Sequence, residues 1–556
     1  MIAAVLAAAL LGQAESPLVA PEPIVVEANP TAESTPEEDH VLIIDSGEDS
    51  PSESAVPPSD ANAATVVEDA ARPSVADTGS VSTTRYRLQV DSRLLVDTQF
   101  EHTGEDVVEW WSLMKLRVEH QPRSNLRLVV DAWGRWGAVG KDPRPDHRFF
   151  LVNAREGRWT GEVELREGFA NLTIGQLEVR VGQQIFVWGK NEVLAAADVL
   201  NPVDLRFDPL RVLDAPKDAK VPVLAIDVGA FEERWSAELV ILPFFTKNRG
   251  FLAGRDFAFA PPGSDLEHRI EAVGSLHPSV SEELQQATQG TVEPGASPSD
   301  FSWAARGTAR LAGWDVAATV YYGWDRTPRV KVDPDLVTLL GSADAILADP
   351  QVIVTDPTLR DASLGVQQKT LAGEELVRSR FRRMWRLALE AQGVLGDIVA
   401  RADVGFSPEV TFYTSDFLPV SRPSVTAALG AEYTYGETWY AALTGYSLVV
   451  PDAPKWGRLL SLERQSVDPA GRDTAAVYGV LGHVRWRWDE EGLAASLIGA
   501  WNIAPGDRLV WAEVQYDHFE PHAVKIGAML MGGPVGTSGW DYHGNNLVYV
   551  AYSGAW

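Results

Sequence analysis

The chain has no cysteine among its 556 residues. Disulfides, thiolate metal sites and a cysteine nucleophile are thereby excluded. It also lacks any apolar run long enough, at about eighteen residues, to cross a bilayer as a helix. Basic residues are in deficit, with 48 Lys and Arg against 77 Asp and Glu and a formal net charge of -29. No basic stripe offsets that charge, which argues against nucleic acid as a partner. There is no G-x-S-x-G elbow, no H-E-x-x-H, no Walker-type phosphate loop and no twelve-residue calcium loop. The 10 histidines are scattered, and His518 and His522, four apart, sit in a strand-and-turn context and not on a helix. These absences point away from an enzyme, a metal and a cofactor. An enzyme would need Ser, His and carboxylate side chains from separate strands to converge at one loop-shielded site.

What is present begins with "MIAAVLAAALLGQAES", apolar from Ile2 to Leu11. It is too short to span and reads as the apolar core of a secretory signal over residues 1–16, with small residues near Gly12 to Ala14 as the cleavage zone. No Lys or Arg precedes it, a departure from the usual signal. Residues 17–83 are rich in Pro, Ser, Ala, Glu and Asp, and between Glu15 and Asp77 fifteen acidic residues face one basic residue, Arg72. Such a segment buries too little apolar surface to repay ordering, so a disordered acidic tail is expected. "HVLIIDS", His40 to Ser46, is the stretch within it suited to docking as a short strand or binding a periplasmic or envelope protein.

From Thr84 onward the apolar period becomes two. In "RYRLQVDSRLLV", Arg87, Gln89, Asp91 and Arg93 share one face, and Leu88, Val90, Leu94 and Val96 the other. In "GHVRWRWDE", His483, Arg485 and Arg487 oppose Val484, Trp486 and Trp488. Roughly 16 to 18 such segments follow one another, many near ten residues, where soluble strands average five or six. No repeat of fixed period marks a propeller or solenoid. Alternating spans of about 9 to 11 residues suit a closed antiparallel barrel in a bilayer. The 19 Trp, 13 Tyr and 18 Phe, many at segment ends, suit two interfacial girdles. The last segment, "NNLVYVAYSGAW", alternates and ends on Trp556, like the terminal strand by which the barrel assembly machinery recognises its clients. The expected fold is an all-β transmembrane barrel of 16 to 18 strands over residues 84–556, with outer-membrane lipids around it.

The stretch "VRVGQQIFVWGKNEVLAAADVLNPVDL" resembles the DUF1302-type outer-membrane proteins and their porin-like relatives. The resemblance rests on Gly182, Gln183, Trp188, Gly189, Asn201, Pro202 and Asp204, then Pro216, Lys217, Lys220 and Pro222 in "DAPKDAKVPVLAIDV". It covers about Gly175 to Val228, and the long acidic tail departs from it. It implies a barrel that passes or exports small or amphiphilic compounds.

In a barrel the charged face lines the lumen. "ELVRSRFRRMWRLALE" reads as one basic ladder, with Arg378, Arg380, Arg382 and Arg386 on one strand face and Arg383 on the other. Arg485 and Arg487 add to the wall. Such charges either select solutes or pair with one another and hold the wall together. Gly182 and Gly189 allow bends, and Asn201-Pro202 signals a turn. Residues 188–221 are therefore read as a constriction folded into the lumen and lined by Lys190, Asn191, Asp204, Arg206, Asp208 and Lys217, with an ordinary extracellular loop as the alternative. Two other long connections, 251–300 and 327–375, show helix-compatible stretches at Asp265 to Ala272, Ser281 to Thr288, and around Leu336, Leu339, Leu340 and Ile346. The expected function is an outer-membrane channel or export component passing solutes through a charged lumen. The alternative is a plugged barrel serving as a scaffold in an envelope, motility or adhesion assembly.

Overall fold

The computed structural model describes Val25–Val26 and residues 82–98, 108–138, 152–156, 159–190, 195–204, 215–250, 264–288, 292–414, 419–436, 438–453, 463–467, 473–488, 492–535 and 537–556. The expected signal (1–16), and all but Val25–Val26 and residues 82–83 of the expected disordered tail (17–83), lie outside the described residues.

Eighteen strands run antiparallel in chain order: β1 (Thr83–Asp97), β2 (Val108–Arg123), β3 (Leu126–Ala138), β4 (Trp159–Ile174), β5 (Leu177–Gln184), β6 (Val223–Phe231), β7 (Trp235–Leu242), β8 (Ser302–Leu311), β9 (Trp314–Trp324), β10 (Arg383–Leu395), β11 (Ile398–Tyr413), β12 (Pro419–Tyr435), β13 (Trp439–Ala453), β14 (Asp473–Trp488), β15 (Leu493–Ala504), β16 (Arg508–Tyr516), β17 (His522–Gly532) and β18 (Leu547–Ala555). Each pairs with the next, and β18 returns to β1 with Ala555 beside Gln89 and Leu547 beside Asp97. The ring is closed, so each of the eighteen strands has a neighbour on both sides. The count stands at the upper end of the expected range.

One end of the barrel carries short turns. Ala312 and Gly313, both at positive φ (51° and 85°), form the two-residue hairpin between β8 and β9 that a right-handed strand twist favours. The long connections, 139–158, 185–222, 243–301, 325–382 and 454–472, all leave the opposite end.

The faces follow the alternation. On β10, Trp385, Leu387 and Leu389 are exposed on the outside while Arg386, Ala388 and Glu390 are buried inside. On β11, Val404 and Phe406 face out and Arg401 and Asp403 in; on β17, Val524, Ile526 and Leu530 face out and Lys525 and Met529 in. The apolar surface is thus on the exterior, the reverse of a water-soluble sandwich. Exposed rings sit at both rims of that surface. Tyr86, Trp235, Tyr435, Trp439, Trp488 and Trp556 lie toward the short turns, and Trp136, Trp385 and Trp501 toward the long connections. Trp486 stacks between Trp439 and Trp488, with centroids 4.4 and 4.6 Å away.

The connections 243–301 and 325–382 build a helical cap: α1 (Asp265–Leu276), α2 (Pro278–Thr288), α3 (Pro334–Gly341), α4 (Ala343–Ala348), α5 (Val352–Thr355) and α6 (Pro357–Leu371). Its start signals are local. Asp333 and Asp356 each precede a proline and accept from the backbone N–H two residues on. Leu336, Leu339, Leu340 and Ile346, the residues with helical spacing, are buried together with Val273, Val280, Leu359 and Val366. None of these helices is long and apolar enough to cross a membrane.

Candidate functional site

The inner wall is organised in two halves. From β2 to β12 it is largely charged, with ion pairs between nearby strands. Arg117 lies 2.6 Å from Glu167 and 2.7 Å from Glu119, Arg306 2.7 Å from Glu390, and Arg401 2.9 Å from Glu432. Arg166 sits over the Trp133 ring, 4.0 Å from its centroid, and 3.4 Å from Glu164. From β13 to β18 the buried inward residues are mainly aliphatic and aromatic, among them Tyr446, Leu481, Ile498, Leu509, Trp511 and Met529. The polar groups there are linked: the Trp511 indole donates to Tyr549, whose hydroxyl donates to Glu513, which pairs with Lys525 at 3.2 Å.

A β-bulge adjusts this pattern. The β3–β4 register slips between Asp131 and Ala132, so that Glu167 pairs with Asp131 and Leu165 with Ala132. One extra residue on β4 lets Arg166 and Glu167 both turn inward and be buried. Glu167 is therefore a lumen residue that strict alternation assigns to the lipid face.

The described parts of residues 188–221 touch inward side chains from well-separated strands. Arg386 on β10 donates from Nε to the Ala196 carbonyl at 3.1 Å, and Arg401 on β11 donates to the Lys190 carbonyl at 3.0 Å. On the other side, Arg166 on β4 donates to the carbonyls of Lys217 and Asp218, Lys217 meets Glu167 at 3.2 Å, and Lys115 on β2 meets Asp218 at 2.5 Å. The segment is tied internally as well. Asn201 accepts from Phe186 N–H at 2.7 Å and donates to the carbonyls of Gln184 and Val221. The Lys220 ammonium, 1% exposed, reaches Asp198 at 2.7 Å and the Phe186 carbonyl at 2.6 Å.

Two glycines make this path possible. At Gly182 (φ +140°) a Cβ would stand 2.2 Å from the Gly168 carbonyl, and at Gly189 (φ +130°) 2.1 Å from the Ala195 Cβ. Both need positive φ and open space, which glycine alone supplies cheaply. Burial raises the proton affinity of Asp198 above the ordinary aspartate range even with Lys220 beside it. Burial, with the Arg306 and Arg401 cations added, lowers that of Lys190.

The sequence-derived residues are distributed as follows. Lys190, Asp204 and Lys217 belong to this segment, with Asp204 3.5 Å from Arg249. Asn191, Arg206 and Asp208 lie outside the described residues. Arg386 is on the inner wall, 1% exposed, with Ser407 and Thr426 hydroxyls on its terminal nitrogens. Arg485 and Arg487 share the face of buried His483, and Arg487 meets Asp517 at 3.2 Å. The expected single ladder from Arg378 to Arg386 does not exist. The strand breaks at Phe381 and Arg382, where the buried Phe381 ring packs on Phe245 at 4.4 Å between centroids. Arg378 and Arg380 are left on a separate ribbon, and Arg382 pairs with Glu409 at 3.1 Å. Residues missed by the sequence reading include Arg306, Glu390, Arg401 and Asp403, whose alternating strands carried the signal. No cluster of metal-ligating side chains occurs among the described residues.

No family model matches the chain, and no curated protein matches it. Solved outer-membrane structures resemble it at low identity. They include OmpF of Salmonella typhi in complex with daunomycin (8% identity, TM-score 0.40), OccAB4 of Acinetobacter baumannii (8%, 0.43) and OpdK of Pseudomonas aeruginosa (10%, 0.40). Each comparison covers 85% of this chain and 98% of the other. At these scores the likeness carries no argument, and the closed antiparallel β-barrel rests on the strand pairing itself.

Proposed function

We propose that the chain is an outer-membrane channel passing small polar solutes, without chemistry on them, through a lumen narrowed by residues 188–221. The observation that supports it is the reversed distribution of side chains combined with a segment tied to β2 and β4 on one side and to β10 and β11 on the other. Barrels of about this strand number enclose a wet path, and a segment held across the lumen sets its width. Short turns and both termini then face the periplasm and the cap faces outward, the usual disposition for such barrels. Kinship with the DUF1302-type proteins belongs to the same proposal and rests on Gly182, Gly189, Asn201 and Pro202. So do assembly by the barrel machinery through β18 and recruitment of an envelope partner by the acidic tail.

Single-channel recording in planar bilayers tests it, on the full chain and on a form lacking residues 17–83. Steady conductance with a reproducible ion preference in either form supports passage. Silence of both, with the barrel folded, refutes it and favours the plugged scaffold.

A further inference from the structure

The β9–β10 connection carries a two-stranded ribbon outside the barrel, Arg329–Val332 paired antiparallel with Val377–Arg380. In its register Arg329 stands opposite Arg380 and Lys331 opposite Arg378. Residues two apart share a face, so all four cations stand on one side. On the other side Val332 and Val377 are buried in the core of the cap. The Cα rectangle of the four measures about 5 Å across the strands and about 7 Å along them.

Like charges directly opposite one another destabilise a sheet unless something neutralises them. Among the described residues, the acidic group within ion-pair distance is Glu375, 3.2 Å from Arg378, and both side chains are more than half exposed. Arg329, Lys331 and Arg380 have no ion pair with a described residue. Neighbouring cations differ: Lys369 bridges Asp333 and Asp335, Arg382 pairs with Glu409, and Lys247 with Glu293. The ribbon is also held firmly. Tyr413 on β11 accepts from Val330 N–H at 2.8 Å and donates to the Pro328 carbonyl.

Its root faces the lumen side. Arg326 donates to the Leu200 carbonyl of the inturned segment at 3.0 Å and to the Thr246 carbonyl. The lipid-facing side of the same hairpin is instead aromatic, with Trp303, Tyr322 and Trp385 in contact and Arg383 committed to the Phe301 and Ser299 carbonyls. We propose that the four-cation face is a binding site for a soluble multivalent anion, an oligophosphate or polycarboxylate, taken from water at the mouth. Clustered, preorganised cations gain most from a ligand that carries several charges at matching spacing. Recognition here does not require passage, so it stands or falls independently of the conductance test.

Calorimetric titration of the full chain in detergent micelles with tripolyphosphate tests it. Binding is expected at low salt and weakens as salt rises. Arg378→Gln with Arg380→Gln should lose about tenfold or more in affinity, the loss of at least one charge-assisted contact. Arg378→Lys with Arg380→Lys keeps the charge and should bind within a few-fold of the parent, which separates loss of charge from loss of fold. Heat-modifiable gel mobility confirms that each variant holds its barrel. Undiminished binding by the glutamine pair overturns the proposal. So does binding to lipopolysaccharide vesicles, dependent on these residues, with no response to tripolyphosphate.

Discussion

Lys220→Met is the sharpest test of the inturned segment. Methionine keeps most of the aliphatic stem but removes the ammonium that joins Asp198 to the Phe186 carbonyl. Asp198 stays buried with its charge uncompensated. Breaking a buried pair from one side costs about 3–5 kcal/mol, so local opening of the segment should rise by about two to four orders of magnitude. The barrel ladder itself is untouched, because Lys220 makes only an isolated bridge to Val203. Hydrogen exchange of residues 195–204 reads the opening, and channel conductance reads its consequence. The effect carries a pH signature. Burial already raises the proton affinity of Asp198, and loss of the ammonium raises it further. A carboxyl group raised in the folded arrangement supports that arrangement when protonated and ceases to as pH rises through its folded pKa. The variant should therefore be tightest in acid and loosen toward neutral pH, and a further Asp198→Asn change should restore protection at neutral pH. Unchanged protection and conductance at neutral pH, or loosening in acid instead, would refute the reasoning.

Leu389→Arg places a cation near the middle of β10 on a side chain 64% exposed on the outer face. It should destabilise the barrel in lipid by about 2–4 kcal/mol, measured by denaturant titration in vesicles, whereas in a soluble protein the same exposed site would tolerate it. Leu339→Ala, in the cap core, should cost about 2–5 kcal/mol and make residues 265–288 and 334–371 sensitive to limited proteolysis while the heat-modifiable barrel survives. Asp325, just beyond β9, is buried, accepts from Thr327 N–H at 2.9 Å, and has its pKa pushed up by burial from 3.8 to about 6. Its contribution is present below pH 3.8 and is lost as pH rises through about 6; a rise of about two units corresponds to about 3 kcal/mol. Exchange protection at the root of the cap should fall over that range in the parent and stay flat in Asp325→Asn.

The sequence by itself determined the barrel. Period-two alternation needs only the geometry of a strand, so the sidedness of β1, β10, β14 and β16 could be read from neighbouring residues. Part of the cap was legible for the same reason, since leucines at helical spacing from Leu336 to Ile346 are a local signal, whereas α6 (Pro357–Leu371) was not among the expected helices. Tertiary structure alone decided the rest. The bulge that turns Glu167 inward depends on the partner strand. At the break that divides the arginine run, Phe381 packs on a ring 136 positions earlier in the chain, Phe245. Arg386 reaching Ala196, and Lys115 reaching Asp218, are contacts across the lumen. The sequence marks residues 188–221 as a proline-bounded interruption, but their anchors lie on strands far away in the chain. Which carbonyls and carboxylates they meet follows only once eighteen strands have closed and fixed the distance across the barrel.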